Sequence, residues 1–250
     1  MHIVWEEKRS LLPKNRRKEL KISSSPTESQ VQSYVLLRRG VGIIGVALPF
    51  VLIIGKIILE SPGISASISA YYYTVMRDVF VGSLFATGIF LICYRYAPLD
   101  DIVSTIAGIC AIGVALFPTT PDVDATQRQT AIGVAHAVFA SCFFLILALM
   151  TIVLFRKTDP KKNPENPTRR KQQRNTVYLI CGIVILACVV LAALILFVPY
   201  LHGASWLQPL HLIFFLESFA ILAFGFAWFV KGETFILKDP PKRADMRQSR

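Results

Sequence analysis

The chain alternates between long apolar runs and short polar segments. The apolar runs cover about residues 40–59, 79–94, 102–117, 131–155, 177–199 and 210–230. A helix needs about 20 apolar residues to cross a hydrocarbon core of about 30 Å. The pattern therefore predicts six membrane-spanning helices, of which the second and third are the shortest.

Both ends of the chain are polar. Residues 1–39 and 233–250 are rich in Lys and Arg and poor in large apolar side chains, which is typical of flexible tails. The N-terminal segment lacks the order of a cleaved signal peptide, in which a basic stretch precedes a short apolar core and small residues. We therefore predict a basic tail over 1–39, a six-helix domain over 40–232 and a basic tail over 233–250.

The composition agrees with a membrane protein. Of the 250 residues, 54% are hydrophobic and only 17% are charged, and this is too apolar for an ordinary soluble domain. Disorder, a collagen-like repeat and a disulfide scaffold would each need a different composition. The predicted fold class is an all-α integral membrane protein, a bundle of six transmembrane helices.

The basic residues predict the orientation of the bundle. The net charge is +11, and all Lys and Arg except Lys56, Arg77 and Arg128 fall in the tails or in loops on one side of the predicted helices. Because Lys and Arg beside a span resist translocation, both termini are predicted to be cytoplasmic. These basic segments would attract anionic lipid headgroups, and no nucleic-acid partner is predicted.

Candidate binding residues cluster near the predicted outer face. The first outer loop, SPGISASISAYYYTVMRD, contains Ser67, Ser69, Tyr71, Tyr72, Tyr73, Arg77 and Asp78. Its hydroxyls and guanidinium suit a phosphate or sugar, and its tyrosines suit contact with headgroup and acyl chain together. The alternative is an interfacial aromatic belt in which the Arg-Asp pair caps the second helix.

Three further titratable side chains lie in the same band of depth. At 1.5 Å per residue, His136 and Glu217 lie about 8 Å and about 10 Å below the predicted outer edge, and His211 lies nearer the surface. An unpaired charge near the bilayer centre costs ~3 kcal/mol or more, so Glu217 should face the bundle or be protonated. With Asp78 these residues predict one polar pocket, and interhelical hydrogen bonds are the alternative.

A metal site is a further alternative within this band. His136, His211 and Asp78 could hold zinc from separate spans and activate water. No H-x-x-x-H or H-E-x-x-H spacing supports such a site, and no cofactor is predicted. The five cysteines lie inside apolar runs without a C-x-x-C pair, so we predict neither a disulfide nor a redox centre.

Four segments of the chain resemble one family of membrane proteins. They are ISASISAYYYT, RDVFVGSL, GVAHAVFA with His136, and LESFAILAFGF with Glu217. Over about residues 38–232 they are similar to the damage-regulated autophagy modulators and their Frag and Sfk relatives. The chain departs from that pattern at Ser67, where relatives carry proline, and at Ser218, where they carry an aromatic residue.

The resemblance implies six helices, cytoplasmic termini and a role in lipid organisation or remodelling. It further implies a bacterial relative of that family in the cytoplasmic (inner) membrane. The chain itself is expected to contact membrane lipids, and a homo-oligomer is compatible with this picture.

Three functions are compatible with these residues. The leading hypothesis is a non-enzymatic protein that binds or organises lipid in a polar pocket open to the outer leaflet. The first alternative is a membrane-embedded lipid hydrolase that uses His136, Asp78 or Glu217, with or without a metal. The second is a small proton-coupled transporter with Glu217 and His136 as a relay, which the lack of a convincing internal repeat disfavours.

Overall fold

The computed structural model describes residues 28–157, 169–198 and 210–232. These ranges contain six α-helices, namely α1 Glu28–Leu59, α2 Arg77–Cys93, α3 Pro98–Leu116, α4 Gln127–Leu149, α5 Arg169–Phe197 and α6 Leu212–Lys231. A 3₁₀ turn, Ser69–Tyr73, precedes α2, and a π-helical turn, Met150–Leu154, prolongs α4. The described ranges contain no strand, which confirms the all-helical prediction.

Five of these helices are long and apolar enough to cross a membrane, as judged by length and composition. The five segments are Val35–Leu59, Pro98–Leu116, Gln127–Leu154, Arg169–Leu196 and Leu212–Lys231. Helix α2 has 17 residues, about 25 Å at 1.5 Å per residue, which is shorter than a typical hydrocarbon core. The chain is therefore a polytopic integral membrane protein, while the sixth span and the cytoplasmic termini stay predictions.

Several helices extend beyond the apolar runs. Helix α1 begins at Glu28, inside the segment predicted as a tail, and residues 1–27 and 233–250 lie outside the described structure. Helix α3 begins at Pro98, with Asp100 and Asp101 in its first turn, where proline and acidic residues favour a helix start. The position of such a helix start is thus set by residues that favour it, whereas the length of an apolar run is set by the thickness of the membrane core.

The chain packs as two units, residues 1–36 and residues 37–250. The first unit contributes only the start of α1 to the described structure. Within the second unit we call the end that carries residues 60–76 and 117–126 the loop end. The opposite end carries Arg38, residues 94–97 and Lys231, and we call it the tail end. The loop end is the one predicted to face outward.

Glycines permit close helix contacts at two crossings. Helices α2 and α3 meet at Gly88 and Gly108, where a Cβ on Gly108 would lie 2.5 Å from the Gly88 carbonyl oxygen. Helices α1 and α6 meet at Gly45 and Gly225, where a Cβ on Gly225 would lie 2.8 Å from the backbone nitrogen of Val46. Because the hydrophobic effect does not drive helices together in lipid, close packing at small residues stabilises such crossings.

The α1–α6 crossing makes a direct test of this packing. We expect Gly225→Ala to destabilise the folded protein by about 1–3 kcal/mol, because the added methyl group meets rigid backbone. Gly82 is the matched control, since a Cβ there meets nothing within 4 Å, and Gly82→Ala should leave stability unchanged or slightly higher. Thermal unfolding of both variants in the same detergent checks this, and equal midpoints would contradict the assigned crossing.

Candidate functional site

The partly buried carboxyl group of Glu217 holds the first loop against α6. Its Oε2 accepts hydrogen bonds from the backbone N–H groups of Ile68, at 2.6 Å, and Ser69, at 3.3 Å. The Ser69 hydroxyl donates to Oε1 at 3.5 Å. These donors begin the 3₁₀ turn, so the carboxyl oxygens satisfy main-chain groups that the turn itself leaves unpaired. Glu217 therefore anchors the first loop to α6. An interhelical hydrogen bond was the alternative to the predicted pocket for this residue.

Two further contacts hold the same loop against α6. The backbone N–H of Phe214 donates to the Ala66 carbonyl at 3.1 Å, and the ring of Phe214 lies 6.1 Å from that of Tyr71, centroid to centroid. Tyr71 is completely buried, with its hydroxyl beside Ser65, and burial raises the pKa of this phenol above its ordinary value of 10.0. The tyrosine therefore fills the loop end of the core as a neutral side chain.

His136 holds the loop between α3 and α4. Its Nδ1 donates to the Phe117 carbonyl at 2.6 Å, and because a carbonyl can only accept, Nδ1 carries the proton. One turn earlier, Gly133 leaves room for Thr120, which a Cβ would overlap. The capping box of Thr126 and Gln129 sets the start of α4 and thereby the register of this face.

The two loops are joined to each other. The Tyr73 hydroxyl donates to the Thr119 carbonyl at 2.6 Å, so a residue of the first loop binds the loop that His136 positions. We call residues Ile68, Ser69, Tyr73, His136 and Glu217 the loop clamp. Most of its hydrogen bonds reach backbone atoms, and within the described ranges no hydrogen bond joins His136 to Glu217.

Arg77 and Asp78 lie outside the clamp. Their side chains are 59% and 97% exposed and form an ion pair of 3.8 Å. The Arg77 guanidinium lies over the Tyr72 ring at 5.3 Å from its centroid, and Tyr73 is 48% exposed. This exposed edge carries a cation and two aromatic rings at the start of α2.

The remaining predicted site residues have local roles. The Ser67 hydroxyl accepts a hydrogen bond from the backbone N–H of Ala70 at 2.9 Å. His211 precedes α6 with a left-handed backbone, φ +44°, a conformation that histidine adopts more readily than most residues. Its buried Nδ1 has no hydrogen-bond partner within the described part of the chain.

The structure does not assemble the predicted single pocket or its metal site. Asp78 is exposed on α2, whereas His136 is buried and bound to a loop carbonyl. In the residues that the structure describes, no group of three His, Cys, Asp or Glu side chains is placed to hold a metal ion. Among these residues His136, His211 and Asp78 do not come together as a ligand set, because common depth does not bring side chains onto facing helix surfaces.

Sequence reasoning missed a second polar group at the tail end. Arg38, Tyr94, Tyr96, Trp228 and Lys231 lie together there, although residues 38 and 231 are 193 positions apart. Their basic members were interpreted only as orientation signals. The sequence did contain a signal for this group. Aromatic residues, Tyr94 and Tyr96 among them, occur at the same helix ends as the cations.

Comparison with known proteins gives one finding. Residues 108–227 match the family model of the serpentine type 7TM GPCR chemoreceptor Srv. The matched part extends from α3 into α6 and is slightly under half of the chain. No curated protein and no solved structure matches.

This match corrects the resemblance drawn from the sequence. The family supported is a serpentine receptor family, so the assignment to the autophagy modulators and their Frag and Sfk relatives is wrong. The match also favours a eukaryotic membrane over the bacterial inner membrane that accompanied it. Short segments of Gly, Ala, Ser and Phe satisfy the same packing demands in unrelated membrane helices, and they therefore reflect the environment more than ancestry.

Removing the Glu217 carboxyl group should release the first loop. We expect Glu217→Ala to destabilise the protein by about 1–3 kcal/mol, because the Ile68 and Ser69 amides lose their acceptor in a buried site. Hydrogen exchange at those two amides should accelerate at least about tenfold, as expected for such a loss.

Glu60 provides the matched control for this substitution. Its Oε2 accepts from the backbone N–H of Val75 at 3.0 Å in an exposed position of the same loop. Glu60→Ala should change stability by less than about 0.5 kcal/mol and leave exchange at Ile68 unchanged. Identical exchange profiles for the two variants would refute the clamp.

Proposed function

We propose that this polytopic membrane protein is non-enzymatic and binds a phospholipid of the outer leaflet at the exposed edge of its loop end. The observation that carries the proposal is the placement of the Arg77 guanidinium over the Tyr72 ring, beside the exposed Tyr73. A guanidinium binds phosphate through paired N–H groups, and interfacial tyrosines contact headgroup and acyl chain together.

Apolar side chains continue this edge toward the bilayer. Val75 and Val79 are 54% and 39% exposed and lie on either side of Arg77 in the chain. A lipid with its phosphate on Arg77 would find an apolar surface for its acyl chains next to it. The proposed binding surface is therefore an open edge, in place of the enclosed pocket expected from the sequence.

The loop clamp supports a binding role over catalysis. A hydrolase needs a base within hydrogen-bond reach of a nucleophile or of bound water. His136 donates to the Phe117 carbonyl, and Glu217 accepts from backbone amides. The third catalytic candidate, Asp78, pairs with Arg77 at the surface. A proton relay between His136 and Glu217 is also disfavoured, because each is bound to a different loop.

A receptor for an external small molecule is the second candidate function. The match to a chemoreceptor family over residues 108–227 favours it. Helix α6 offers a physical connection, since Glu217 near its start binds the loop and Lys231 at its end lies at the tail end. A ligand that moved the loop would act directly on this helix.

Lipid retention tests the proposal. In native mass spectrometry of protein released gently from membranes, we expect Arg77→Gln to reduce phospholipid retention about three- to tenfold, as the loss of a charge-assisted contact of about 1 kcal/mol implies. Arg128→Gln is the control, because Arg128 is an exposed cation in the first turn of α4 at the same end.

The control variant should retain lipid like the unaltered protein. Equal losses of lipid in the two variants would show that the effect comes from general surface charge. Unchanged retention in Arg77→Gln would overturn the lipid proposal. If Arg77→Gln retains lipid unchanged, a soluble amphiphile that binds at the loop end and raises the unfolding temperature would favour the receptor.

A further inference from the structure

Two half-buried cations lie among aromatic rings at the tail end. The Arg38 guanidinium lies 5.4 Å from the ring centroid of Tyr94 and 5.7 Å from that of Tyr96. The Lys231 ammonium lies 5.0 Å from the Tyr96 ring and 5.1 Å from the Phe155 ring. Arg38 also donates to the Lys231 carbonyl at 3.5 Å, so α1 and α6 bring both cations to the same place.

The aromatic rings form a continuous packed group. Tyr94 stacks on Tyr96 with an interplanar angle of 8°, and Trp228 meets Tyr94 edge-on at 5.1 Å and Phe155 at 5.2 Å. Tyr94, Phe155 and Trp228 are almost completely buried. Rigid rings of this kind hold the two cations in a defined geometry, because the side chains have few alternative positions.

The first turn of α3 positions the link that carries two of these rings. The Ser104 hydroxyl donates to the Tyr94 carbonyl at 3.2 Å, and the backbone N–H of Tyr96 donates to the Asp101 carboxylate at 2.8 Å. The link between α2 and α3 is therefore held by side chains of α3, which fixes the rings that face the cations.

Among the described residues, most of the charged groups that act on Lys231 are cations. Lys231 interacts electrostatically with the cations Arg38, Lys171 and Arg174, and with one carboxylate, Asp100. The described residues contain a single ion pair within 4.0 Å, Arg77 with Asp78, and it lies at the other end. Neither Arg38 nor Lys231 thus has a carboxylate within 4.0 Å among these residues, although a cation removed from water normally requires one.

Two donors in this group also lack an acceptor. The Arg38 Nε and Trp228 Nε1 atoms are buried without a hydrogen-bond partner in the described ranges. Both groups can only donate, and an unpaired buried donor is unfavourable. The Tyr94 hydroxyl lies beside Arg38 and adds a third O–H or N–H group. An anion with several acceptor oxygens would satisfy both the charge and the donors.

We propose that the tail end binds a phosphate group between Arg38 and Lys231. A phosphate has the required charge and three or more acceptor oxygens, and its tetrahedral shape accepts from a guanidinium and an ammonium together. The group would come from a lipid headgroup or from a phosphate in solution. The site is separate from the lipid edge proposed at the loop end.

The fluorescence of Trp228 tests this site in the full-length protein. Trp5 and Trp206 are the other two tryptophans, so replacing both by Phe leaves the one indole that lies in the group. This protein is placed in phosphatidylcholine nanodiscs and titrated with inorganic phosphate at constant ionic strength. A second preparation carries phosphatidic acid in the nanodisc. We expect a saturable fluorescence change in at least one of the two.

The two preparations distinguish the source of the phosphate. Saturation by inorganic phosphate identifies a soluble ligand, and a change that requires phosphatidic acid identifies a lipid headgroup; either supports the site. Arg38→Gln and Lys231→Gln should each weaken the apparent affinity at least about tenfold, the effect of losing one charged contact. Lys231→Arg should keep it within about threefold, because the charge is retained.

Lys56 is the matched control. It is an exposed cation at the loop end, bound to Ser61 and Gly63, and Lys56→Gln should titrate like the parent protein. The absence of a saturable change in both preparations would overturn the proposal. So would unaltered affinity in Arg38→Gln and Lys231→Gln, provided that both variants unfold at the temperature of the parent.

Discussion

The loop end depends on one partly buried carboxyl group. Glu217 accepts hydrogen bonds from the amides of Ile68 and Ser69, and this acceptor lets an irregular segment lie against a membrane helix. Backbone groups that leave regular helix inside a bundle need a partner from the protein, since lipid supplies none. Without Glu217 the 3₁₀ turn would have unpaired donors, and Tyr73 would have no fixed position from which to reach the second loop.

The two ends of the bundle solve the problem of polar groups differently. At the loop end, His136 and Glu217 are bound to main-chain atoms, so their polarity is used within the protein. At the tail end, Arg38 and Lys231 lie over aromatic rings and have no carboxylate within 4.0 Å in the described ranges. The first arrangement stabilises loops, and the second leaves a capacity to bind an anion.

Helix contacts at glycines connect these ends. The α1–α6 crossing at Gly45 and Gly225 brings the main chains together, and the same two helices carry Arg38 and Lys231. Helix α6 also carries Glu217, so one helix takes part in the loop clamp and in the tail-end group. This continuity links the loop clamp to the phosphate site proposed at the tail end.

The helices were largely predictable, and the site was not. Six apolar runs correspond to six helices because hydropathy is a local property of about 20 residues. The polar band was predicted from depth alone, and depth does not determine which side chains face each other. Asp78 shares the band with His136 but points into solvent, with its side chain 97% exposed. The family resemblance based on short helix segments was wrong for a related reason, because such segments reflect packing more than ancestry.

The sequence alone determined that this is a helical membrane protein and where its apolar segments lie. Only the tertiary structure decided the partners of its polar groups. Ile68 and Glu217 are 149 positions apart, and Arg38 and Lys231 are 193 apart. Such contacts depend on the order and rotation of packed helices. These are set by close backbone crossings at a few glycines, which no local pattern of hydrophobic and polar residues specifies.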